Sequence, residues 1–172
     1  MTAKDLNSSE YDSFYNGYIG KLSGDTELRK GFELAKQKVL HFFQSIPKEK
    51  LSYRYAEDKW SVKEVFQHLI DTERIFMYRC FRISRNDDTA LAGYDQDFYI
   101  KPSDADSKSI ESLLEEYSVT RDYSSNLLNS LTDINLKHVG NSNGGPMSGR
   151  AAAFTILGHE IWHIEVIKNK YL

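Results

Sequence analysis

An all-α four-helix bundle is the fold class this sequence predicts, and three observations predict it. Apolar residues recur at steps of three and four over four long stretches, the pattern of helices that bury one face. The 172 residues hold only 3 prolines and 10 glycines, which fall mostly between those stretches. A connection of about 20 aperiodic residues, far longer than the usual 4 to 6, separates the second long stretch from the third. A chain of this length builds one core, so residues 1–172 are read as a single domain.

Residues 1–24 are rich in Ser, Asn and Tyr. Tyr11, Phe14, Tyr15, Tyr18 and Ile19 suggest a short helix there, and the segment is expected to be a packing arm. Over 25–46, Leu28, Phe32, Ala35, Val39, Phe42 and Ile46 form an apolar stripe that Pro47 ends. Residues 51–60 alternate like a strand, but a lone strand has nothing to pair with, so a loop is expected. Ser61 and Glu64 then make a capping box, opening a helix to about 85 that carries Val62, Val65, Phe66, Leu69, Ile70, Phe76, Cys80 and Ile83.

Segment 86–106 has no helical period and holds Gly93 and Pro102. Extended, it reaches on the order of 60 Å against roughly 35 to 40 Å for the helix before it, so the next helix can start parallel to the last. That third long helix spans 107–131, with Ile110, Leu113, Leu114, Tyr117, Leu127, Leu128 and Leu131 buried and Arg121 and Ser124 interrupting the stripe. Either the stripe drifts around the helix, the commoner case, or the two polar residues line an internal site. A Gly/Asn-rich loop at 140–145 leads past Pro146 into the last helix, 148–168.

Composition excludes several roles. With 22 Lys plus Arg against 25 Asp plus Glu and no block of one sign, no nucleic-acid partner is expected. No apolar run approaches the roughly 18 residues that cross a bilayer, so no membrane role is expected either. The single Cys80 can form no intrachain disulfide and no signal-peptide pattern opens the chain, which makes a cytoplasmic setting the expectation.

His159 and His163, four positions apart, share one helix face. Ala152, Ile156, Val166 and Ile167 lie within roughly 80° of His159, so both imidazoles point into a core, where they need hydrogen-bonding partners or a metal. His68, near the start of the second long helix, supplies a third nitrogen. Three protein ligands with open positions are the pattern of a catalytic centre that holds a divalent transition metal; zinc or nickel is expected, with iron or manganese as alternatives. The HEIWH string also matches the zincin pattern, but only nine residues follow His163 and none is a histidine, so proteolysis is set aside.

Glu160, about 100° around the helix from His159, is either a supporting carboxylate or a surface one. Asp71, one turn after His68, is a candidate acceptor for a ring N–H, although acids in early helical turns are common for electrostatic reasons alone. Arg121 is the third candidate around the ligands. His41 and His138 have no partner at useful spacing, and Cys80 reads as a small core residue.

The run Lys59-Trp60-Ser61-Val62-Lys63-Glu64-Val65-Phe66-Gln67-His68-Leu69-Ile70-Asp71-Thr72-Glu73-Arg74, then Tyr78-Arg79, Gly93-Tyr94-Asp95 and His159-Glu160-Ile161-Trp162-His163, resembles the DinB-like, or DinB/YfiT-like, family over roughly residues 53–167. The resemblance implies a bundle of up-down-down-up topology, a metal site formed by His68, His159 and His163, and frequent homodimers. It further implies transfer of low-molecular-weight thiols such as bacillithiol or mycothiol to electrophiles, or a thiol-dependent isomerisation. The expected function is therefore metal-dependent thiol S-transfer or hydrolysis on a small-molecule substrate. The competing reading is a non-catalytic small-ligand or assembly protein on the same bundle.

Overall fold

The computed structural model describes residues 1–172. Its helices are α1 (Asn16–Ile19), α2 (Leu28–Gln44), α3 (Val62–Ser84), α4 (Asp97–Ser103), α5 (Ile110–Ser130) and α6 (Gly149–Lys170), and a hairpin of β1 (Val139–Ser142) and β2 (Gly145–Ser148) precedes α6. The four long helices fall where the apolar period predicts them, in a mostly helical fold. Each of α3, α5 and α6 begins on a serine whose hydroxyl accepts an early backbone N–H: Ser61 from Glu64, Ser109 from Ser112 and Ser148 from Ala151. At Ser61 the box is complete, because the Glu64 carboxylate accepts the Ser61 N–H at 2.7 Å. No helix is long and apolar enough to cross a membrane.

Three expectations need correction. The segment 86–106 is not aperiodic throughout: α4 lies inside it, entered through a turn in which Asp95 Oδ1 accepts the Asp97 N–H. Only Ile100 of α4 is buried, so no apolar stripe announces the helix. The third long helix starts at Ile110 rather than 107, because Asp104 adopts a left-handed backbone (φ 50°) and a 3₁₀ turn, Ala105–Ser107, intervenes. The 140–145 loop is instead the tip of a hairpin, which makes the fold other than purely α. Asn143 and Gly144 take positive φ (56° and 82°), as a two-residue turn between right-twisted strands demands.

Residues 1–24 lie against the helices. Their backbone bonds to the entry of α2 through Ala3 N to Thr26 O and Leu28 N to Met1 O, and Tyr15 and Ile19 join the core. Arg150 at the start of α6 donates through its Nε and Nη2 to both oxygens of Glu10, an almost fully buried pair. Burial pushes the Glu10 carboxyl up, but Arg150 and the Asn7 N–H outweigh it and hold it below its ordinary value of 4.5. Because the folded value is depressed, the pair stabilises above pH 4.5 and its contribution fades as pH falls through the folded value. Glu10→Gln should thus cost about 1.5–3 kcal/mol at pH 7, and less in strong acid, by denaturant unfolding at several pH values.

The interior is split. One apolar cluster holds Phe32, Phe76, Met77, Cys80, Leu128, Phe154 and Leu157, and another holds Val39, Phe43, Phe66, Ile70, Leu113, Tyr117 and Ile167. Phe43 and Phe66 stack in the second with centroids 3.8 Å apart. Between the clusters on every long helix but α2 comes a belt of buried polar residues: His68, Thr72 and Glu73 on α3, Thr120, Arg121 and Ser124 on α5, His159, Glu160 and His163 on α6. Polar groups shut inside a bundle cost free energy unless they pair, so this belt is where a function should be sought.

Candidate metal centre

The belt brings the three predicted histidines together. Nε2 of His159 lies 3.0 Å from Nε2 of His68 and 3.0 Å from Nε2 of His163, and one nitrogen from each ring falls within 4.8 Å of the others. Residue exposures are 3, 5 and 7 % for His68, His159 and His163. An Nε2 carries either one proton or one lone pair, so the central His159 nitrogen cannot make two full hydrogen bonds to its neighbours. Burial lowers the His68 pKa to about 4 and those of His159 and His163 well below the usual value, so the rings are neutral at pH 7. Three neutral imidazole nitrogens converging without a protein partner are a donor set that fits a divalent transition ion.

An aromatic ring lies against each histidine. Trp60 lies 4.8 Å from His68, Tyr18 of α1 meets His159 edge-on at 5.0 Å, and Trp162 meets His163 at 4.6 Å, all centroid to centroid. The approach of α1 depends on Gly158: a Cβ there would stand 2.1 Å from the Tyr18 carbonyl oxygen. Behind His68, the Thr72 hydroxyl sits 3.4 Å from Nδ1 and 3.1 Å from the Tyr94 hydroxyl, which the crossover delivers.

The other candidates land elsewhere. Asp71 does not reach His68, because position i+3 turns toward α5; its Oδ1 accepts from Gln67 and Arg74, while Thr72 at i+4 takes the place beside the ring. Glu160 is no surface carboxylate, being 3 % exposed, yet no hydrogen bond joins its carboxylate to a histidine. Its Oε1 accepts from Tyr117 at 2.8 Å and from Arg121. Arg121, wholly buried, also grips Glu73 through Nε at 2.9 Å and Nη2 at 2.8 Å, and lies over the Phe32 ring. The break in the α5 stripe is thus not drift but the seat of an internal ion cluster. Burial raises the Glu160 carboxyl to about 7 despite Arg121, while Glu160 and Glu73 overcome burial and keep Arg121 charged.

Cys80 is buried with its thiol pushed up to about 12, the core residue expected. His41 is exposed and His138 stands apart from the cluster. A cavity of about 1040 Å³ lies between α2 and α6, lined by Glu160 but by none of the three histidines. Sequence reasoning passed over Glu73, Thr72 and Tyr18. Glu73 alone carried a signal, as an acid inside the stripe between Ile70 and Met77.

The DinB superfamily profile matches residues 32–167. Among solved structures the chain is similar to YfiT from Bacillus subtilis, described as a probable metal-dependent hydrolase with an unusual four-helix bundle topology. The two share 19 % identity over 83 % of this chain and 82 % of that one, with a TM-score of 0.73, a likeness of fold. No curated protein matches the sequence.

Proposed function

The chain belongs to the DinB superfamily, and from that premise we propose that it is a metal-dependent enzyme whose His68, His159 and His163 hold one divalent transition ion for hydrolysis or thiol transfer on a small molecule. The observation that carries this reading is the meeting of three buried, neutral imidazole nitrogens from two helices at one point. What such an ion supplies when bound is Lewis acidity, which brings a water or thiol ligand toward the pKa range of a neutral-pH nucleophile. The up-down-down-up course belongs to the same proposal. It is supported by pairs that advance together along α3 and α5 (Gln67 with Glu116, Glu73 with Arg121) and run oppositely along α2 and α5 (Arg29 with Leu128, Lys36 with Asp122).

The protein's own residues have three tasks in this scheme. In it, Thr72 accepts a hydrogen bond from His68 Nδ1–H, which leaves the Nε2 lone pair facing the cluster, and donates its own hydroxyl to the Tyr94 oxygen. Trp60, Tyr18 and Trp162 narrow the approach and keep bulk water from the nitrogens. Arg121 anchors Glu160 and so fixes the rotation of α6 on which His159 and His163 depend.

Two measurements test the reading. Protein purified without a tag, loaded with zinc, nickel, iron or manganese and then chelated, is assayed against esters, amides and a thiol with an electrophile such as monochlorobimane. Turnover that follows the metal is expected; none with any loaded form would defeat the enzyme reading. Thr72→Val should weaken metal binding about 10–100-fold with the fold intact, and Thr72→Ser should preserve it. Equal affinity in the valine variant would remove Thr72 from its role.

A further inference from the structure

Between α2 and α6 runs a groove of about 1040 Å³, a large volume for a small-molecule site. An apolar strip runs along it, with Ala35, Val39 and Phe42 from α2 and Leu157, Ile161 and Ile164 from α6. The helices close at one end, where a Cβ on Gly31 would come within 2.8 Å of the Leu157 side chain. From Gly31 to Phe42 the groove follows α2 for about 16 Å. Leu34 and Ile161 remain 51 and 37 % exposed along it.

One buried polar residue is among those that line this groove. Glu160 lines it, and while Glu160 Oε1 takes both Tyr117 and Arg121, the buried Oε2 has no partner. The cluster behind it sets two carboxylates, Glu73 and Glu160, against the single guanidinium of Arg121. A donor from the groove satisfies that oxygen, and a cationic one also balances the cluster and holds Glu160 in its charged form. Asp25, Glu27 and Glu165 line the groove as well as Lys30, Lys38 and Lys168, so its rim carries both signs, and Glu160 is the one carboxylate there with a buried, unpartnered oxygen.

We propose that the α2–α6 groove is a ligand site distinct from the histidine cluster, taking an elongated apolar molecule that ends in a primary ammonium and donates it to Glu160 Oε2. The apolar body covers the walls and the ammonium completes the buried cluster. The site does not depend on the metal reading, since none of the three histidines lines the groove.

Calorimetric titration of the full chain with n-decylammonium, n-decanol and n-decanoate, each below its micellar concentration, tests this. Decylammonium is expected to bind at least about tenfold more tightly than decanol, with decanoate weakest, since the acceptor is a carboxylate. Glu160→Gln should abolish that preference, and Ala35→Trp, which fills the groove away from the ion cluster, should weaken decylammonium at least about tenfold. The proposal is overturned if the three probes bind alike, if decanoate binds best, if none binds, or if folded Glu160→Gln keeps the preference. Should Glu160→Gln fail to fold, Ala35→Trp decides: unchanged decylammonium affinity places the ligand elsewhere and overturns the proposal.

Discussion

His68→Ala should lose stoichiometric metal and weaken affinity for the divalent ion by more than about 100-fold, since even groups that merely orient ligands are worth 10–100-fold. The histidine sits on α3, opposite the α6 pair, and its Nε2 stands 3.0 Å from that of His159. With it gone, two nitrogens from one helix remain, which hold an ion without fixing it between helices. The comparison variant is His41→Ala, an exposed histidine of α2 outside the cluster, which should bind as the parent does. Metal content by elemental analysis and affinity by competition with a chromophoric chelator read both. An ion bound as tightly by the alanine variant at 68 as by the parent would end the three-histidine reading.

Arg121→Met should be the most destabilising single change away from the histidines, at about 3–5 kcal/mol, because it strands Glu73 and Glu160 without a counter-charge in a fully buried place. Part of the loss is softened by proton uptake, since the Glu160 carboxyl already stands near 7. For a domain of this size the cost corresponds to a melting temperature lower by roughly 6–20 °C. Asp122→Ala, which removes the exposed partner of Lys36 one residue away, should cost no more than about 1 kcal/mol. If the two variants melted together, the buried cluster would not be holding α5 to α3 and α6.

The contrast between those neighbours explains what was legible in the sequence. Long helices announce themselves because burial of one face imposes a period, and Leu28, Phe32 and Val39 or Leu69, Phe76 and Ile83 keep it. Elements whose residues face water on most sides leave no such trace, and α4, with Ile100 alone buried, escaped for that reason. The hairpin was written in local chemistry, as Asn143-Gly144 favours a tight turn, but its strands are too short to alternate visibly. In the site, two histidines on one helix carried their own spacing. The Arg121 cluster was legible only in halves, a cation breaking the α5 stripe and an acid breaking that of α3, which become a signal when the helices are placed side by side. Thr72 and Tyr18 could not be found this way, for their roles arise from where separate segments cross.

Tyr18 also bears on where this domain begins. The family profile starts at residue 32, yet the ring against His159 comes from a turn fourteen residues earlier, seated on α6 at the one position whose missing Cβ leaves room for its backbone. A chain trimmed to the matched span would keep all three imidazoles and still lack one side of the chamber around them. An ion held by those imidazoles would be reached more easily by solvent and by competing ligands, so metal affinity or reactivity measured on such a fragment would not describe the site that residues 1–172 build.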